Sequence, residues 1–261
     1  MGKITCKTPE EINILREAGS ILAKILKELA SQAAPGITTA DLDTEARKLA
    51  KEHQVKPILF GYRASFAIRP FPAAICTSVN DCVQHGIPSK YEILEDGDII
   101  NIDMSISYHE MVVDSGLTVG VGAIESEAQR LLAVTQEALA RGIKAAQPGK
   151  RIGDISAAIG DFVRNRGMSV VEVLCGHGVG YAIHEEPNIM NFGRPNSGPV
   201  IEVGHVYAIE PIVNLGEKDV YFDDDGDGYS VYTMDGSLSA HFEHTVAITE
   251  RGPEILTKIR S

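Results

Sequence analysis

An α+β fold built from two related halves is predicted by three observations. Helical apolar spacing occurs in two separate stretches, each ending at a Pro-Gly break. β-branched-rich runs follow each stretch and end in a carboxylate. Short motifs recur in the same order along the chain. Each half therefore reads as a helix pair followed by a few antiparallel strands.

The first helix is expected to begin at Thr8-Pro9-Glu10-Glu11. Thr8 can cap, Pro9 suits the first helical position, and Glu11 completes a capping box. Ile12, Leu15, Leu22, Ile25, Leu26 and Leu29 follow at helical spacing, and the helix stops near Ala34-Pro35-Gly36. A second helix is expected from about Thr39 to His53, with Leu42, Ala46 and Leu49 on one face. The pattern returns as a long helix from about Glu125 to Ala146, a stop at Gln147-Pro148-Gly149, and a helix over roughly Gly153 to Arg166. With Pro35-Gly36 set on Pro148-Gly149, Asp41-Leu42 falls on Asp154-Ile155 without a gap.

The match extends past the helices. Gly97-Asp98-Ile99-Ile100-Asn101-Ile102-Asp103 aligns with Gly204-His205-Val206-Tyr207-Ala208-Ile209-Glu210. Val113-Asp114-Ser115 resembles Phe242-Glu243-His244, and His85-Gly86-Ile87-Pro88 has a counterpart in His184-Glu185-Glu186-Pro187. Two halves packed about a pseudo-two-fold axis would bring Asp103 and Asp114 to face Glu210 and Glu243. One domain over 1–261 is expected, with halves of about 1–122 and 123–261.

The 261 residues are 44% hydrophobic and 23% charged, enough apolar surface for a substantial core. The formal charge is −12, and the basic residues are scattered, which argues against nucleic-acid recognition. No apolar run approaches the roughly 20 residues of a membrane span. Met1 to Glu10 lacks an apolar signal core, and position 6 is Cys6 where the myristoylation pattern wants Ser or Thr. Cys6, Cys76, Cys82 and Cys175 form no C-x-x-C pair, so free thiols in a reducing cytoplasm are expected.

Four carboxylates in apolar strands need one shared explanation. Like charges in close, dry quarters raise each other's pKa, and cations resolve the conflict. Carboxylate oxygens plus an imidazole suit a pair of divalent first-row metals. The imidazole candidate is His177, in Cys175-Gly176-His177-Gly178-Val179-Gly180, where the glycines let backbone pass close to the ligand.

At this point the chain resembles the methionine aminopeptidases of the short, type I class. The matching motifs are His85-Gly86-Ile87-Pro88, Asn101-Ile102-Asp103, Asp114-Ser115, Gly176-His177-Gly178-Val179-Gly180, His184-Glu185-Glu186-Pro187, Ile209-Glu210-Pro211 and Ser239-Ala240-His241-Phe242-Glu243-His244-Thr245. The resemblance implies a pita-bread fold, a central antiparallel sheet flanked by helices. It also implies five ligands for two divalent ions, cobalt, manganese, iron or zinc. Asp114 and Glu243 would bridge both ions, Asp103 would complete one, and His177 with Glu210 the other. A water between the ions would attack, Glu210 would shuttle its proton, and His85 and His184 would contact the scissile amide. Substrates would be nascent polypeptide N-termini with a small second residue. A cytoplasmic monomer is expected, with the ribosome as a candidate partner and no membrane or nucleic acid.

Tyr62, Phe71, Cys76, Ile183 and Tyr229 fall where that family lines its methionine pocket, together with His85 and His184. Ile183 stands where an aromatic is common, and Tyr229 where a Trp is common. Each of the five, taken alone, reads equally as a core residue. Residues 63–70 extend the usual form, as a pocket rim or a surface loop. Asp223, Asp225, Asp227 and Gly228 imitate a calcium loop, but Met234 stands where a bidentate Glu is required, so an acidic turn between strands is expected. Cys175 reads as a buried, inert thiol, with oxidation sensitivity as the alternative. Two other functions stay open: a pita-bread peptidase acting before proline (an aminopeptidase P or prolidase), and a metal-free binding protein of that fold.

Overall fold

The computed structural model describes residues 3–63, 69–223 and 226–258. Helix α1 spans Pro9–Gln32, and its capping box is formed. The Thr8 hydroxyl accepts from the Glu11 N–H at 3.2 Å, and Glu11 accepts from the Thr8 N–H at 2.7 Å. Leu15, Leu22, Ile25, Leu26 and Leu29 are wholly or almost wholly buried along one stripe. Helix α2 spans Thr39–Glu52, with Thr38 and Asp41 forming a second capping box. Leu42 and Ala46 are buried there, while Leu49 is only half-buried at the edge of the stripe.

Strands β1 (Lys56–Pro57), β2 (Cys76–Val79), β3 (Cys82–Gln84), β4 (Ile99–Tyr108) and β5 (Met111–Gly120) complete the first half. β4 and β5 are an antiparallel hairpin of 10 residues a side. β1 and β2 share the other edge of β4. The alternation of a strand puts Asp103, Ser105 and Asp114 on one face, because Asp103 pairs with Gly116 and Ser105 with Asp114.

The second half opens with α3 (Ser126–Ala145) and α4 (Ile152–Arg164). The Asp154 carboxylate accepts the Arg151 N–H at 2.8 Å, in the place Asp41 holds in α2. Helix α4 ends before the predicted Arg166, because Asn165 and Gly167 turn the chain. Then come β6 (Ser169–Val170), β7 (Cys175–Gly178), β8 (Glu185–Met190), β9 (Val206–Ile209), β10 (Ile212–Asn214), β11 (Val220–Phe222), β12 (Val231–Thr233), β13 (Ser239–His241), β14 (His244–Thr249) and β15 (Gly252–Ile255). The main sheet runs β15-β14-β9-β7-β8, all antiparallel neighbours. The Asp223 N–H donates to the Ser230 carbonyl at 2.9 Å, just beyond the paired ends of β11 and β12.

Two apolar cores lie under the two helix pairs. One gathers α1, α2, β4 and β5, and the other gathers α3, α4, β9 and β14. They are not sealed from each other: Val206, Ala208 and Ala247 of the main sheet also pack into the first. The halves meet where β5 lies beside β14. There the Glu243 N–H donates to the Gly116 carbonyl at 2.8 Å, and the Thr245 hydroxyl donates to the Asp114 carbonyl at 2.7 Å. Among the described residues no helix is long and apolar enough to cross a membrane.

Candidate metal centre

The five candidate ligands gather about the meeting line of β5 and β14. Asp103 comes from β4, Asp114 from β5, His177 from β7, and Glu210 and Glu243 sit at the ends of β9 and β14. All five are buried, at 2–8% exposure, and all line one cavity of about 280 Å³. Donor atoms of Asp114, His177 and Glu243 lie within 4.8 Å of one another. His177 Nε2 stands 3.5 Å from Glu210 Oε1 and 3.9 Å from Asp114 Oδ2.

Local backbone explains the glycines around His177. A Cβ on Gly176 would lie 2.4 Å from the Ala208 carbonyl oxygen, and one on Gly178 2.3 Å from that of Glu186. Only hydrogen at these two positions lets β7 lie between β9 and β8. His177 pairs with Ala208, so alternation directs it to the same face as Glu210.

The electrostatics are those of a site built for cations. Burial pushes Asp103, Glu210 and Glu243 well above the usual carboxylate range, and the neighbouring Asp114 charge pushes each further. Asp114 itself is raised by burial, with the Ser105 hydroxyl acting against the shift. That hydroxyl donates to Asp114 Oδ1 at 2.8 Å. Asp103 Oδ1 and Glu243 Oε1 are buried without a hydrogen-bond partner. An orphaned buried carboxylate oxygen is costly. Burial lowers His177 to about 4, leaving it a neutral imidazole with a lone pair for a metal. The donor set of four carboxylates and one imidazole thus fits divalent cations, on the orphaned oxygens as well as on residue type.

His85 and His184 flank the cavity. His85 holds a positive φ of 61° and its Nδ1 is buried without a partner, while burial lowers its pKa to about 4. His184 stands exposed at the mouth, with its ring edge-on to His177 at 4.6 Å. The Tyr62 hydroxyl lies 3.0 Å from His184 Nδ1.

Tyr62, Phe71, Cys76, Ile183 and Tyr229 all line the same cavity. Phe71, Cys76 and Tyr229 also form a small apolar cluster, with the Phe71 and Tyr229 rings edge to face at 5.1 Å. Phe71, Cys76, Ile183 and Tyr229 are buried and Tyr62 is half-buried, and each contributes to the cavity wall. Residues 64–68 of the extra segment, and Asp225 of the acidic turn, lie outside the described residues. Cys175 differs from expectation in being half-buried and lining the cavity. Burial and the Glu210 charge push its thiol up to about 11, so it is protonated at neutral pH.

Several site residues escaped sequence reasoning. Gln84 donates to Glu210 Oε2 at 3.0 Å, and His241 Nε2 stands 3.5 Å from the same oxygen. His241 is fully buried and Asn101 Nδ2 donates to its carbonyl at 2.9 Å. Leu59, Val173, Leu174 and Asn188 complete the wall. Gln84 and His241 were both within reach, since Gln84 adjoins the His85 motif and His241 lies inside the Ser239–Thr245 motif, although neither had been given a role.

A buried carboxylate–imidazole centre beside an apolar pocket, between two helix-backed halves, defines a metallopeptidase class. The chain belongs to metallopeptidase family M24, whose family model matches residues 13–250. It is 44% identical over 256 residues to methionine aminopeptidase 1 of Bacillus subtilis, covering 98% of this chain and 100% of that one. It is 42% identical over 253 residues to a methionine aminopeptidase of Aquifex aeolicus, covering 95% and 96%. The solved methionine aminopeptidase of Thermotoga maritima superposes with a TM-score of 0.93 at 39% identity, covering 98% of this chain and 100% of that one. A prolidase from Pyrococcus furiosus superposes at 0.76 with 24% identity, covering 98% and 66%, which shows the shared fold alone. The expected pita-bread fold is therefore the fold observed, and the family uses divalent metal.

Proposed function

We propose that this chain releases the N-terminal methionine of proteins and peptides whose second residue is small, using two divalent cations. The observation that carries this is the convergence of Asp103, Asp114, His177, Glu210 and Glu243 on one cavity whose other wall is Phe71, Cys76, Ile183 and Tyr229. Cations bound there would polarise the scissile carbonyl and lower the pKa of an attacking water.

The residues of the chain supply the rest. Asp103, Asp114, His177, Glu210 and Glu243 would hold the two ions between them. Glu210 takes the proton of the attacking water and passes it to the departing amine nitrogen. Gln84 holds its Oε2 at 3.0 Å and so orients it. In the tautomer where His184 Nδ1, 3.0 Å from the Tyr62 hydroxyl, accepts from it, the Nε2 proton is free to donate to the amide oxygen as charge develops there. His85, which also lines the cavity, contacts the same amide. The apolar wall accepts a thioether side chain, with aromatic edges suited to sulfur.

We further infer one catalytic domain over 1–261, with halves of about 1–122 and 123–261, supported by the equivalent placement of Asp41 and Asp154 at the two second helices. Nascent chains as substrates and a monomeric state belong to the same proposal. Release of methionine from Met-Ala-Ser by protein loaded with cobalt or manganese, set against cleavage of Ala-Pro-Gly, tests the main claim. Faster turnover of Ala-Pro-Gly would overturn it in favour of a proline-directed peptidase.

A further inference from the structure

The segment ahead of α1 does more than supply a helix cap. Lys7 is 4% exposed, an unusual burial for an ammonium. Its Nζ donates to Glu185 Oε2 at 2.8 Å and to the Thr5 hydroxyl. The two side chains of the ion pair are 1% and 9% exposed. The Lys7 N–H donates to the Gly204 carbonyl at 2.8 Å, which roots the segment on the turn before β9.

Glu185 is a hub. Its Oε1 accepts the Tyr181 N–H at 2.5 Å and the Ala182 N–H at 3.1 Å. Its Oε2 accepts from Lys7 and from the Thr5 hydroxyl. One carboxylate thereby closes the turn from Tyr181 to Glu185, and that turn presents Ile183 and His184 to the cavity. The stem of Lys7 crosses Gly180, where a Cβ would lie 2.3 Å from Lys7 Cε. The Tyr181 ring lies over the ammonium at 4.9 Å, and its hydroxyl donates to Glu11 at 2.9 Å. Thr5, Lys7 and Glu185 themselves are not among the described residues that line the cavity.

We propose that Lys7 is a positioning residue for catalysis: through Glu185 it sets the turn that holds His184 against the scissile amide. The proposal rests on the reading of His184 as an amide-contacting group. Without the ammonium, a nearly buried Glu185 keeps only neutral donors, and a charge so placed either takes a proton or turns to water. Either change weakens its hold on the Tyr181 and Ala182 N–H groups. A shift of about 1 Å at His184 then costs rate rather than binding.

The test is a cycle of variants assayed with Met-Ala-Ser on metal-loaded protein, with metal content and thermal midpoint followed alongside. Lys7→Met keeps the stem and removes the charge, Lys7→Arg keeps the charge, and each is made with and without His184→Ala. The expected result is a kcat lower by about tenfold or more in K7M at unchanged metal content. K7R recovers most of that loss, and in the His184→Ala background K7M changes kcat by less than roughly twofold. Full kcat in K7M, or the same loss with His184 absent, would overturn the proposal. Undiminished kcat in His184→Ala alone would remove the amide-contact reading and this proposal with it. If K7M does not fold, Glu185→Gln, of nearly the same shape, enters the same cycle under the same criteria.

Discussion

Glu210 shows how much one side chain is asked to do. It is buried at 4% exposure, raised in pKa by burial and by Asp114, and gripped by Gln84. A carboxylate so held suits proton transfer as well as ligation. Glu210→Gln keeps the shape and loses the base, so kcat on Met-Ala-Ser is expected to fall by about 10²–10⁴. Steady-state rates at matched metal occupancy check this, and a fall below about tenfold would remove Glu210 from the proton path. Under the proposed function Phe71 serves binding instead. Phe71→Ala opens the apolar wall, so KM for methionine peptides should rise by about 10-fold or more while kcat changes less, since the lost contact is made equally in ground and transition states. A selective loss of kcat would contradict that role.

Among the elements, α1 is held by its caps and by one close approach. Gly19 lies on its buried face, where a Cβ would meet the Leu256 carbonyl oxygen at 2.4 Å. Gly19→Ala gains about 1 kcal/mol of helix propensity and pays about 1–3 kcal/mol of overpacking against backbone that cannot step aside. The net expectation is a loss of stability of up to about 2 kcal/mol, read as a lower midpoint in urea. A stabilised variant would mean that the C-terminal segment yields. The capping box of α1 was legible from spacing because it closes within four residues of sequence, whereas the box of α2 and the Asp154 bond of α4 fall at the aligned Asp41 and Asp154 without having been expected as caps. The short strands were not legible. β6, β10 and β13 form a sheet only because Val170, Val213 and Ala240 meet from distant parts of the chain.

For the molecule as a whole, the centre is a liability without its cations. Asp103, Glu210 and Glu243 have folded-state pKa values raised above their ordinary 3.8 and 4.5, chiefly by burial. Groups raised in this way destabilise the fold progressively as pH climbs from the unfolded value toward the folded one. His85, His177 and His241 act in the opposite sense, since burial lowers them from 6.5 to about 4, 4 and 3, and their cost is gone above about 6.5. The carboxylate cost is therefore the one that grows as pH rises, and chelated protein should lose thermal midpoint as pH climbs through the raised carboxylate values. Added manganese should restore it, by an amount worth about 2.7 kcal/mol at one hundred times the dissociation constant. Calorimetry with and without chelator decides; a midpoint flat or rising with pH in chelated protein would contradict the electrostatic account.

Which residues form the centre was legible in the chain alone, because a carboxylate inside an apolar run is a local anomaly and Asp103, Asp114, Glu210 and Glu243 are four of them. How they meet was decided by tertiary contact. The repeat placed Asp103 with Asp114 as the partner of Glu210 with Glu243, yet the pairs are not superposable in register. Asp103 faces Gly116 and Asp114 faces Ser105, whereas Glu243 and Glu210 lie one step beyond the directly opposed His244 and Ile209. Gln84, His241 and the Lys7–Glu185 pair, 178 residues apart in sequence, carry no local sign of their partners. A buried polar group is recognisable from its neighbours in sequence; what satisfies it comes from wherever the fold brings a complementary atom within about 3 Å.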